Sequence, residues 1–184
     1  TVEKPYQAFR KLGINVDVID ETCSLDGYRV VAAPMVYLLR EGWTEKVRNF
    51  VKNGGIFLLT YWSGIVDETD LCYLGGTPHD LMDVMGFRSM EIDGLYDGEW
   101  NEGIPLHLER AYRCSHLCEL VQPSTAEVLM TYGKDFYDGM PAMTRNVYGK
   151  GKAYAVCADF EQGLYDEVCR KLAEEAGVER IVEE

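Results

Sequence analysis

Apolar positions along this chain fall into short runs set apart by glycine and proline, and their spacing predicts helices alternating with strands. Pro5 to Leu12 places Tyr6, Phe9 and Leu12 on one helical face, and Gly13 ends that helix. Ile14, Val16, Val18 and Ile19 alternate as a strand would. After the turn at Leu25-Asp26-Gly27, Tyr28 to Ala33 reads as a second strand stopped by Pro34. Thr44 is the expected N-cap of a helix carrying Val47, Phe50 and Val51, which Gly54-Gly55 terminates.

Ile56 to Leu59 is then apolar without a break, the pattern of a strand buried on both faces. It gives way abruptly to Tyr61-Trp62-Ser63-Gly64 and the carboxylates Asp67-Glu68. In an open α/β sheet such a break lies at the carboxyl end of a strand, where ligands and active sites gather.

Gly75-Gly76-Thr77-Pro78 reads as a loop, and Asp80 as the cap of a short helix bearing Leu81, Val84 and Met85. From Phe87 to Pro123 no period holds, which suggests an excursion from the sheet with irregular or antiparallel pieces. Glu127 to Tyr132 reads as a strand, and Gly149-Lys150-Gly151 as a hairpin turn between Ala142–Val147 and Ala153–Cys157. Leu164, Val168, Leu172 and Ala176 form a last helical stripe, stopped by Gly177. The expected class is α/β: a three-layer α/β/α arrangement with a mainly parallel sheet.

A length of 184 residues makes one domain, and its non-methionine first residue suggests a fragment of a longer chain. The net charge of -13 argues against nucleic acid and anionic membrane surfaces as partners. Six cysteines without paired spacing suit reduced thiols in a cytoplasm better than a disulfide framework.

Ser63 is the one candidate nucleophile on the turn after the central strand, but a serine needs a general base. His79, His107 and His116 all fall in irregular stretches, and Trp62 fills space a substrate would need. Cys114-Ser115-His116-Leu117-Cys118 lacks the fourth ligand of a structural zinc, so its thiols read as core residues and no metal is expected. The acidic pairs Asp67-Glu68 and Glu91/Asp93 invite a glycosidase reading, yet eight βα units need about 250 residues. No dinucleotide fingerprint is present, and no cofactor is expected. Arg145 beside Asn146 suits an ion pair with Asp67 or Glu68, inside the sheet's crevice or across a subunit boundary.

Three stretches carry a resemblance: Val30-Val31-Ala32-Ala33-Pro34-Met35-Val36-Tyr37-Leu38-Leu39, then Thr60 to Glu68 (TYWSGIVDE), then Pro141 to Gly151 (PAMTRNVYGKG). In that order they resemble the middle, trimerisation domain of glycoside hydrolase family 42 β-galactosidases, over about Leu12 to Val178. The resemblance implies a class I glutamine-amidotransferase-like, flavodoxin-like fold without that family's nucleophile. It implies a parent that hydrolyses terminal β-D-galactosyl residues with two carboxylates in a separate catalytic barrel, and a homotrimer as the assembled form. The family's domain opens with a strand, which Thr1 starts too late to supply in full.

The expected role is therefore contact rather than catalysis, through Tyr37, Tyr61, Trp62, Ser63, Asp67, Glu68, Arg145 and Asn146. Two alternatives stand beside it: a saccharide cleft lined by Tyr61, Trp62 and Asp67, and an amidotransferase-like hydrolase using Ser63 or a buried cysteine.

Overall fold

The computed structural model describes residues 2–179. In chain order the elements are α1 (Glu3–Lys11), β1 (Val30–Ala33), α2 (Trp43–Lys52), β2 (Ile56–Thr60), α3 (Met82–Met85), β3 (Phe87–Gly94), β4 (Asn101–Pro105), β5 (Tyr112–Pro123), β6 (Glu127–Tyr132), β7 (Pro141–Tyr148), β8 (Gly151–Val156), β9 (Ala158–Phe160) and α4 (Gln162–Glu175).

Every residue of β2 is buried, as its unbroken apolar run demands. Successive side chains of a strand point to opposite faces, and β2 feeds two separate cores. Ile56 and Leu58 pack with Ala8 and Phe9 of α1 and Leu164, Val168 and Leu172 of α4. Phe57 and Leu59 pack with Trp43, Val47 and Val51 of α2 and Val84 and Met85 of α3. Helices thus cover both faces of the sheet around β2.

Among the described residues the strands run in the order β1-β2-β8-β7-β6-β4-β5-β3, with β9 against β5. The expectation of a mainly parallel sheet fails. Between these strands only β1–β2 and β2–β8 are parallel and the rest pair antiparallel, with one isolated parallel bridge joining Leu38 to Val66. Connection length is the cause. A crossover helix permits parallel pairing, whereas the short turn that sets Tyr148 opposite Gly151 permits only a hairpin.

The stretch from Phe87 to Pro123 forms the expected antiparallel pieces, but they do not leave the sheet; they extend it as β3, β4 and β5. Register shifts between Ser89 and Glu91, and between Ser115 and Cys118, break the two-residue period and hide these strands from a pattern search. The strand expected at Ile14 to Ile19 is absent: Ile14 turns inward while Val18 is 81% exposed, and no ladder forms there. Thr44 does not cap α2, which starts behind Gly42 at φ 79; its hydroxyl donates to Asp80 Oδ2 at 2.8 Å. Asp80 accordingly is no cap for α3, whose N-cap position is Leu81. Thr1, the point at which an opening family strand would be missed, lies outside the described residues.

Gly151 marks the tightest approach of β8 to α2. A Cβ built there collides with the carbonyl oxygens of Gly55 and Val51, which are backbone and cannot swing aside. Gly151→Ala is expected to cost about 2 kcal/mol or more in urea denaturation, and an unchanged midpoint would show that the α2–β8 junction is looser than described.

Candidate functional site

β2 ends at Thr60, and the chain turns through Tyr61, Trp62, Ser63 and Gly64. Trp62 sits at φ 60 and Gly64 at φ 66. A non-glycine residue in the left-handed region costs roughly 1–2 kcal/mol, so the turn must be held from outside itself. The Tyr61 N–H donates to Val156 O at 2.8 Å and the Gly64 N–H to Val36 O at 2.8 Å. Thr60 Oγ1 accepts the Met35 N–H at 2.8 Å. A Cβ on Gly64 would meet Pro78 Cα and His79 N, so the loop at Pro78 seats directly on the corner.

Ser63 is buried, and its hydroxyl is committed at both ends. It donates to Thr60 O at 2.7 Å and accepts the Val36 N–H at 3.1 Å. A nucleophile needs that proton on a base instead. No hydrogen bond joins a histidine ring to Ser63 among the described residues, although the His79 backbone N–H donates to Gly64 O at 3.1 Å on the corner itself. His79 stacks on Tyr73 at 3.7 Å between ring centres, and His107 Nε2 lies 3.5 Å from Glu127. His116 Nδ1 contacts Asp159 Oδ2 at 3.0 Å and Ser115 Oγ at 3.1 Å. A Ser-His-Asp relay uses the two ring nitrogens separately; here both neighbours share one.

On the outer side, Trp62 stacks on Tyr37 with ring centres 6.1 Å apart and planes 13° from parallel. The Tyr37 hydroxyl donates to Asp70 Oδ1 at 3.1 Å. Asp67 Oδ1 accepts the Thr69 hydroxyl at 2.7 Å, the Thr69 N–H at 2.8 Å and the Leu71 N–H at 3.1 Å. These bonds, the Thr69 hydroxyl foremost, hold its carboxyl below the usual range. Asp67 therefore shapes its own turn, while Glu68 stays exposed. Tyr61 is buried and hydrogen-bonds Asp159 from beneath. Of the three residues expected to line a saccharide cleft, Tyr61 is buried while Trp62 and Asp67 are half-buried.

Arg145 and Asn146 do not join this corner. β8 lies between β2 and β7. Register sets Arg145 opposite Glu127, and the two form an ion pair, so the expected bridge to Asp67 or Glu68 is not made within the chain. Asn146 is a structural clamp. Its Nδ2 donates to Val84 O at 2.9 Å and Asp83 O at 3.2 Å, and its Oδ1 accepts the Thr125 hydroxyl at 3.0 Å.

One residue of the site escapes sequence reasoning. Glu119 of β5 is buried beneath the corner, beside a cavity of about 10 Å³ lined also by Thr60, Tyr61, Ser63, Pro78 and Cys157. It takes a hydrogen bond from the Trp62 backbone N–H and another from Ser89. Burial pushes its carboxyl up to about 7 despite both bonds. The only signal in the sequence was a single acid inside the run Leu117-Cys118-Glu119-Leu120-Val121.

Unfolded, Glu119 ionises near 4.5, and folded at about 7. Between those values the native state holds the extra proton, so stability falls as pH rises through that window. Glu119→Gln keeps the shape and removes the charge. It is expected to stabilise the fold by about 3 kcal/mol at pH 8 and by less than about 1 kcal/mol at pH 5. Urea denaturation at the two pH values measures this, and an equal change in stability at both would contradict a buried carboxyl that ionises near 7.

Comparison with known proteins gives this geometry a family. Residues 1–179 match the model described as "Beta-galactosidase trimerisation domain". The chain is 46% identical to the β-galactosidase BglY of Alicyclobacillus acidocaldarius, covering 100% of this chain and 27% of that one. It is 43% identical to the β-galactosidase Pbg of Clostridium perfringens, over 97% of this chain and 27% of the relative. The crystal structure of the β-galactosidase from Bacillus circulans sp. alkalophilus superposes with a TM-score of 0.96 at 40% identity, covering 99% of this chain and 28% of that one. The chain thus spans about a quarter of the length of the relatives it matches. It belongs to the β-galactosidase trimerisation domain family.

Proposed function

We propose that this chain is the non-catalytic assembly domain of a longer β-galactosidase, and that it holds three subunits of that enzyme together. One observation carries the reading. The corner after β2 is locked inward by backbone hydrogen bonds, while its stacked Tyr37–Trp62 pair reaches the surface, with Tyr37 exposed and Trp62 half-buried. Rigid aromatic side chains of this kind concentrate at the centres of protein interfaces. The segment that folds back on the corner, tied by Tyr37 to Asp70, also exposes Leu71 and Leu74.

In this reading Tyr37, Trp62, Asp67 and Glu68 belong to the contact face, with Tyr61 and Ser63 supporting it from beneath. Arg145 and Asn146 fall outside it. Residues 1–184 form a single domain, with a three-layer flavodoxin-like, class I amidotransferase-like arrangement; the two cores on opposite faces of β2 support that layering. The domain needs no cofactor. Its parent hydrolyses terminal β-D-galactosyl residues with carboxylates in a separate barrel and works in the cytoplasm, away from nucleic acid and membranes. Among the described residues no helix is long and apolar enough to cross a membrane.

Light scattering of the full-length enzyme tests this. A strict monomer in the unaltered enzyme would overturn the assembly role. Leu74 is 92% exposed, so Leu74→Asp leaves the core intact; combined with Trp62→Ala it is expected to shift the trimer towards monomer. A trimer that persists in the double variant would remove the corner from the interface.

A further inference from the structure

In a regular strand, residues four apart share a face but lie about 13 Å from each other. Cys114 and Cys118 of β5 break that rule: their Sγ atoms are 3.9 Å apart. The bulge explains it. Ser115 pairs with Asp159 and Cys118 with the next residue back, Ala158, so His116 and Leu117 bulge without partners on β9, while on the other edge Leu117 pairs with Gly94 of β3 and the His116 carbonyl accepts the Leu95 N–H at 2.9 Å. His116 takes φ 63 at the crest and is exposed, while both thiols lie just beneath in the core. The other cysteines, Cys23, Cys72, Cys157 and Cys169, show no such facing thiol.

We propose that Cys114 and Cys118 form a redox modification site that closes to an intrastrand disulfide under peroxide. The sulfurs need to approach by only about 2 Å to reach bonding distance, and the bulge, unpaired on its β9 side, is where β5 can shift to bring them together. Cys118 leads the chemistry: its contact with the Cys114 sulfur lowers its pKa below that of an ordinary thiol and favours its thiolate.

The Cys118 thiolate attacks one peroxide oxygen. An S–O bond forms, the O–O bond breaks, and the departing hydroxide takes up a proton as water. The Cys114 sulfur then attacks the Cys118 sulfur. The S–S bond forms, the S–O bond breaks, and the second hydroxide leaves as water with the proton that Cys114 gave up. Two thiols are oxidised by two electrons, and one peroxide is reduced to two waters.

Mass spectrometry of the full-length protein tests the site. After brief exposure to hydrogen peroxide, unfolding and alkylation, trypsin releases the peptide Cys114–Lys134, which holds both thiols. The expected product is that peptide lighter by two hydrogens and unalkylated, while the buried Cys157 and Cys169 remain fully alkylated. Cys118→Ser is expected to leave Cys114 alkylated under the same treatment. Alkylation of both thiols at doses that already oxidise the exposed Cys72, or separate oxidation of each to sulfinic acid, would overturn the proposal.

Discussion

β2 has no face left for water. Its five residues are buried, two helical layers claim its alternate side chains, and its neighbours β1 and β8 take its backbone groups. A chain leaving such a strand cannot drift into solvent along the same line. It must turn at once and satisfy its polar backbone locally, because an unpaired buried N–H or C=O costs about as much as a lost hydrogen bond. The left-handed Trp62, the doubly bonded Ser63 and the buried Glu119 are the solution found here.

That solution spends the atoms which chemistry would require. In α/β hydrolases the strand-to-helix elbow leaves a nucleophilic side chain exposed, within reach of a base. Here the one hydroxyl is bonded to backbone on both sides, and the space above the turn holds an indole ring stacked on a phenol. A corner built this way offers a fixed shape and no attacking group. The family to which the chain belongs is described by assembly, and the geometry is consistent with that role.

Several features were legible in the sequence because local rules decide them. The β2 run, the α4 stripe and the Gly149 hairpin each follow from periodicity or turn chemistry, and the Tyr61-Trp62-Ser63-Gly64 break marked the corner. Features set by tertiary register were not. Arg145 meets Glu127 because β6 and β7 are aligned that way, which no spacing along the chain reveals. β3 and β5 were hidden by their own bulges, and the segment at Ile14 looked like a strand but has no ladder to join. Glu119 is silent in the sequence for a related reason: only the folded arrangement brings it under Trp62, fifty-seven residues away along the chain.

Amide hydrogen exchange reports directly on whether the corner is held as described. If the internal bonds fix it, the Val36, Trp62 and Gly64 amides exchange as slowly as those of β2 and β8, at the rate set by global unfolding. Exchange of these three at the rate of exposed loops, with β2 still protected, would contradict a rigid corner.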